Sequence, residues 1–318
     1  MGIDIGRLGS LGIGIEAAAG SAVAASTYLQ YSEISLRGHH EPIEYIASKA
    51  SRLMDKDSVV GKKWGEGDVG VMADTIVSGY LWKLALGNEL YESGTPDNHT
   101  FYATVSGNTP KTATLIQTRG TNSGVEQYVH SAIDELNFEV SDGLATMTAS
   151  FFSKFPADTS SQTVTTTSGT IIAFPQYFVQ FGADLSAAAS AAATPINDFA
   201  MSIANNLETI HRSGNSDVST IRSKGMRVSG TYTLFFDSLT DRDAYYALNK
   251  RAMILTASGI NNESLRIRIP EFRINDADIA TGLDDFYTIT ANWVAEDDID
   301  SGVRLVDVRL QNDKSSVY

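Results

Sequence analysis

Residues 144–152 read Leu-Ala-Thr-Met-Thr-Ala-Ser-Phe-Phe, and residues 287–293 read Tyr-Thr-Ile-Thr-Ala-Asn-Trp. Successive side chains of an extended chain point to opposite faces. Ala145, Met147, Ala149 and Phe151 therefore share one face, as do Tyr287, Ile289, Ala291 and Trp293, with mostly Thr on the other. Such strands belong to an antiparallel sheet with one buried and one wet face. Just upstream, Ile133–Val140 is a second strand, and Ser141-Asp142-Gly143 between them is a hairpin turn.

Working outward, 64–72 alternates too, with Val69 and Val71 opposed to Trp64, Glu66 and Asp68. The spacing then turns helical over 74–86, where Ile76, Tyr80 and Leu84 share a face between Asp74 as N-cap and Gly87 as C-cap. A polar loop with Gly94, Pro96, Gly107 and Pro110 follows. Further strands are expected at 28–37, 101–105, 112–117 and 171–181. The Ala/Ser run 187–193 fits a helical turn or a linker equally well.

The second half repeats this grammar. Ile34-Ser35-Leu36 answers Met201-Ser202-Ile203, and Glu41-Pro42-Ile43 answers Glu208-Thr209-Ile210. Gly67, Val69, Val71, Asp74 and Ile76 answer Gly230, Tyr232, Leu234, Asp237 and Leu239. A second helix, 241–249, has Thr240 as N-cap and Asp243 in the capping-box position. Ile133–Phe138 answers Ile269–Ile274, and Ala145–Ala149 answers Tyr287–Ala291, with Phe151 opposite Trp293. The fold class is thus mainly β: two tandem, similar β-sandwich or barrel units, each with one short α-helix. The boundaries are a flexible Gly/Ala-rich arm (1–27), a first unit (28–157), a Ser/Thr-rich linker with an added strand (158–195) and a second unit (196–318).

The chain has 318 residues, 42% hydrophobic and 19% charged, enough apolar matter for a core. Its net charge of −14 argues against a protein that grips nucleic acid through phosphates. The absence of cysteine excludes disulfides, thiolate metal sites and a cysteine nucleophile. No apolar run reaches membrane-spanning length, and the start, Met-Gly-Ile-Asp-Ile, has no basic region or apolar stretch of a secretory signal. His39, His40, His99, His130 and His211 read as surface residues, since no Gly-x-Ser-x-Gly elbow accompanies them. Glu66 with Asp68, the run 296–300 and the group Asn275, Asp276 and Asp278 read as solvated acid surface. None matches a calcium loop, and Gly6–Gly14 matches no phosphate-binding motif. No catalytic residue, metal or cofactor is assigned. The long polar loops 38–58 and 211–224 suit docking of one subunit on the next. His40, Glu41, Lys49, Arg52, His211, Arg212 and Arg222 are the candidate interface residues.

Three stretches carry a resemblance: Gly12-Ile-Gly-Ile-Glu-Ala-Ala-Ala-Gly-Ser-Ala-Val-Ala24; Asp57–Gly61 through Trp64-Gly-Glu-Gly67 into the helix ending Leu84-Ala-Leu-Gly87; and Tyr287–Trp293. Together the chain resembles the tail tube (major tail) proteins of long, non-contractile-tailed bacterial and archaeal viruses. The resemblance implies a structural, non-enzymatic virion protein, made in the host cytoplasm and placed in the tail. Its rings would stack into a hollow tube that delivers double-stranded DNA without binding it specifically. The implied partners are further copies of itself and other tail proteins (tape measure, terminator and baseplate), and no membrane. With two units per chain, three chains give a pseudo-sixfold ring; with one, a true hexamer. Glu66 and Asp68 are the expected lumen-lining residues, repelling phosphate over a screening length of about 8 Å. The arm 1–20 is expected to serve polymerisation and not folding. Two other readings fit the same residues: a baseplate or tail-terminator ring protein of related fold, and a β-sandwich protein that binds or acts on carbohydrate.

Overall fold

The computed structural model describes residues 8–45, 57–104, 106–120, 124–160, 162–163, 169–236, 239–259, 262–280, 286–296 and 304–318. The first half holds β1 (Ser10–Ile15), β2 (Thr27–Leu29), β3 (Tyr31–Ile34), β4 (Arg37–His40), β5 (Ile43–Tyr45), β6 (Asp57–Val59) and β7 (Lys63–Met72). It continues with α1 (Ser78–Leu86), β8 (Gly87–Glu92), β9 (Asp97–Ala103), β10 (Ala113–Thr118), β11 (Val125–Val140), β12 (Thr146–Ser153) and β13 (Ala157–Asp158). The second half holds β14 (Tyr177–Gly182), α2 (Leu185–Ser190), β15 (Asp198–Ala204), β16 (Leu207–Ile210), β17 (Thr220–Ser223) and β18 (Arg227–Phe235). After these come α3 (Thr240–Ala247), β19 (Lys250–Ser258), β20 (Ser264–Ala280), β21 (Thr288–Ala295) and β22 (Asp307–Asn312). The protein is mainly β, as the alternation requires.

One antiparallel path crosses the whole chain. β3 and β4 pair with β7, then β7 with β12, β12 with β11, β11 with β15, β15 with β18, β18 with β21 and β21 with β20. β11 and β20 are long enough to serve two layers. Their first portions turn away to pair with β10 and β19, which pair in turn with β1 and β14. Two bulges let them turn. Asp134 is the extra residue between the β12 pairs of Ile133 and Glu135, and Asn275 between the β21 pairs of Ile274 and Asp276.

The two halves share one core. Phe199 of the second half lies 6.4 Å from Phe138 of the first and 6.2 Å from Trp293. The expected inward faces are buried, including Ala145, Met147, Ala149, Phe151, Ile289, Ala291 and Trp293. Tyr287 departs from the pattern: it precedes β21 and is exposed. α1 is buried nearly all round, with Trp82 against Phe138. It starts later than its apolar spacing predicts, because 74–77 form a turn in which Asp74 Oδ1 accepts from the N–H groups of Ile76 (2.8 Å), Val77 and Ser78. Gly87 ends it at φ 92°, open to glycine. α3 is peripheral, with only Ala244 buried, and α2 resolves the Ala/Ser run as helix.

The largest correction concerns the supposed arm. Residues 10–15 are strand β1, between β2 and β10, with Leu11 and Ile13 fully buried. Glycine hides this from a sequence reading, yet contact demands it: a Cβ at Gly14 would sit 2.2 Å from the Ala24 carbonyl oxygen. Deleting 1–20 would therefore remove core. The strand ends at Glu16, whose buried carboxylate accepts from Thr112 Oγ1 (2.7 Å), Thr114 Oγ1 (2.9 Å), Gly20 N (2.7 Å) and His130 N (2.8 Å). Glu16→Ala strands these donors. We expect a loss of about 3 kcal/mol, read as a lower denaturant midpoint; an unchanged midpoint would refute this role for the network.

Two histidines are not on the surface. His99 is fully buried in β9, between Glu89 Oε1 and the Lys314 carbonyl, each at 2.8 Å. His130 is buried in β11 at φ 60°, and desolvation pushes its pKa down. The loop expected after α1 is partly strand, since β8 pairs with β9.

Candidate assembly face and open edges

The sheet path has one face on the core and one on solvent. Outward-facing positions follow the pairing: Asp68, Ser150, Glu135 and Ala204 lie in one row, and Met72, Thr146, Glu139, Ala200 and Thr231 in another. Asp276 and Asp278 continue this face on β20, opposite Asn292 and Thr290. Carboxylates, small hydroxyls and alanines make up most of this surface across both halves, with Arg227 beyond Ala204 and Arg37 beside Glu66 as exposed cations.

Glu66 and Asp68 both sit on this face. Asp68 is exposed and accepts from Ser150 Oγ at 2.6 Å. Glu66 is less free. It accepts from Trp64 Nε1 at 2.6 Å and lies 3.2 Å from His39 Nε2, whose ring stacks on Trp64. Arg37 Nε lies 2.9 Å from the same His39 nitrogen.

The candidate interface residues cluster at one rim. His40 ends β4, and Glu41 N donates to the Lys62 carbonyl. Lys49 and Arg52 lie outside the described residues. His211 and Arg212 follow β16; His211 Nδ1 is 3.3 Å from the Ser216 carbonyl. Arg222 on β17 bonds Thr109 Oγ1. Here each half sends out a hairpin, β5–β6 and β16–β17. The second folds back over the first half: Lys63 N donates to the Ser216 carbonyl at 2.8 Å and Phe155 N to Asp217 Oδ1 at 2.9 Å. Val218 and Ile221 pack there with Ala132, Trp64 and Phe152. The first hairpin keeps Ile43, Val59 and Val60 exposed. The opposite rim also exposes apolar side chains: Met72, Leu144, Phe235 and Phe286.

The two ends of this sheet path remain open among the described residues. β3 and β4 pair only with β7, and β20 beyond Arg273 pairs only with β21. No group of three or more metal-ligating side chains is assembled among the described residues, and no helix there is long and apolar enough to cross a membrane.

A wide polar sheet face with two open edges and exposed rims describes a structural subunit, built to meet other proteins over large surfaces. Residues 6–295 match the phage tail tube protein family. The chain belongs to that family, a structural component of the virion tail. No curated protein matches it.

Proposed function

We propose that copies of this chain close laterally into rings, that rings stack into a hollow tube, and that viral double-stranded DNA passes through it. The observation that carries this is the polar sheet face that crosses both halves, with carboxylates grouped on β7 and β11 in the first and on β20 in the second. A conduit for a polymer with about one negative charge per 1.7 Å must not bind it. Glu66 and Asp68, with Glu135 and Glu139, are the proposed lining. The apolar rim around Met72, Leu144, Phe235 and Phe286 and the opposite rim of hairpins supply two different surfaces for stacking. A contact between unlike surfaces propagates, whereas the lateral one closes.

The halves are proposed repeats, so that three chains form a pseudo-sixfold ring. Their pairings run in parallel. Gly67 faces Phe151 and Gly230 faces Trp293; Val69 faces Ala149 and Tyr232 faces Ala291. In this register Asp134 and Asn275 are equivalent bulges, so Ile133 answers Ile274 and not Ile269. Ile34 faces Val69 while Phe199 faces Tyr232, so Ile34 answers Phe199 and not Met201. β1 and β14 take matching places, so the proposed units are β1–β12 and β14–β21, without an arm. Asp237 lies outside the described residues.

Negative-stain microscopy of concentrated purified protein tests the reading. Hollow filaments are expected. Lone rings would favour a terminator or baseplate role, and small particles with a saturable sugar site a carbohydrate protein; either result overturns the tube.

A further inference from the structure

The chain contains its own model of the contact between neighbouring copies. Inside it, β11 of the first half joins β15 of the second: Glu135 faces Ala204, Asn137 faces Ser202 and Glu139 faces Ala200. The equivalent of β11 is β20, and among the described residues the edge of β20 that corresponds to this junction is open. The equivalent of β15 is β3 with β4, whose corresponding edge pairs with no described strand.

The register transfers residue by residue. Ser150 pairs with Glu135 in the first half and its counterpart Asn292 with Asp276 in the second. Thr148 pairs with Asn137, and its counterpart Thr290 with Asp278. On the other strand, Glu66 pairs with Arg37 and its counterpart Ser229 with Ser202. Since Asn137 faces Ser202, Asp278 must face Arg37.

We propose that β20 of one copy pairs antiparallel with β3–β4 of the next in this register, which sets Asp276 against His39, Asp278 against Arg37 and Ala280 against Ser35. The inference rests on the tube reading and names the contact that closes its rings. Inward-facing positions agree with it: Ile279 meets Leu36 and Ala277 meets Gly38, small or apolar on both sides. Outward, two carboxylates meet a guanidinium and an imidazole, an arrangement with no counterpart at the internal junction. The opposite charges of Asp278 and Arg37, directly across two strands, stabilise the pairing and fix its register.

The open edge is guarded in the single chain. The Leu36 carbonyl accepts from Arg119 Nη2 at 3.2 Å, and Arg37 is exposed beside it. Charges on an edge discourage indiscriminate strand addition, and here they are matched by the aspartates of the complementary edge. The hairpins follow the same logic. β16–β17 crosses the internal junction to cover the first half, so β5–β6, with Ile43, Val59 and Val60 exposed, crosses to the second half of the neighbouring copy.

The chain has no cysteine, so a designed pair reports cleanly. Ser35 turns its N–H toward Asp68 of β7, which makes Ser35 and Ala280 a non-hydrogen-bonded pair, the closer kind and within reach of a disulfide. In the assembled protein, Ser35→Cys with Ala280→Cys should oxidise to a ladder of linked chains that ends at the closed ring. Glu33→Cys with Ala280→Cys, displaced by two residues, should leave the chains unlinked. Arg37→Asp and Asp278→Arg should each abolish rings, and the two together should restore them. If the unmodified protein forms rings or tubes but the first pair does not link, this junction is wrong and the tube reading stands. If it forms neither, the tube reading itself fails and takes this contact with it.

Discussion

Trp293→Ala should destabilise the protein by about 3–5 kcal/mol, the range for truncating a large buried aromatic, and lower Tm by roughly 10 °C. Trp293 is 1% exposed and packs on Phe199, the ring that reaches Phe138 of the first half. Its ring lies 6.2 Å from Phe199 and 6.1 Å from Phe272, and its backbone faces Gly230 across the strands. The glycine is required by the ring. A Cβ at Gly230 would lie 2.6 Å from Trp293 Cζ2 and 2.1 Å from the Ala200 carbonyl oxygen. The carbonyl is backbone of the paired strand and cannot yield without breaking the sheet, so Gly230→Val should prevent folding outright. Trp293→Phe keeps most of the volume and discards an indole N–H that has no hydrogen-bond partner among the described residues, so it should cost far less than alanine. Calorimetry of the three variants checks the ordering. A Tm for Trp293→Ala close to that of the unmodified protein would show that the core does not converge on this residue.

The same residues show how much the sequence discloses. Trp293, Ile289 and Ala291 are legible as core because a regular strand has a period of two and nothing interrupts it between Thr288 and Ala295. Where the period breaks, the reading slips. Ile133 looks like Ile269 because an acidic and then an apolar residue follow each two and three places on, but the extra residue at Asp134 and at Asn275 resets the alternation, and in the proposed repeat the match is five residues further on. β1 is invisible for a different reason. Gly12 and Gly14 carry no side chain to alternate, although a Cβ at Gly12 would meet the Ala25 side chain and one at Gly14 the Ala24 carbonyl. His99, between Asn98 and Thr100, and His130, before Ser131, look exposed because histidine and its polar neighbours carry no apolar pattern, whereas their burial is decided by distant strands. On the candidate face, Glu66 and Asp68 were legible from parity alone. The open edges were not, since an edge is a property of backbone groups and of which strand fails to arrive beside them.

That face sets the second large effect. Asp68→Lys with Glu139→Lys should leave tails of normal length while cutting infectivity roughly tenfold or more, through attraction between ammonium groups and passing phosphates. Both side chains are exposed and outward on the sheet path, so their replacement disturbs no core contact beyond the Ser150 hydrogen bond of Asp68. They are better choices than Glu66, which Trp64 and His39 engage, and better than Asp276 and Asp278, which the proposed ring contact uses. Each chain exchanges two negative charges for two positive ones, and stacking repeats the change along the whole tube, so a small attraction per subunit becomes a large drag on DNA. Screening fixes the signature. The Debye length is about 8 Å at physiological ionic strength and about 3 Å at 1 M, so DNA release triggered in vitro should be slow for the variant at low salt and recover as salt rises. A variant with unimpaired infectivity would place this face away from the DNA. A variant that fails to build tails would place it in a contact between subunits, and the acidic sheet would then owe its charge to assembly.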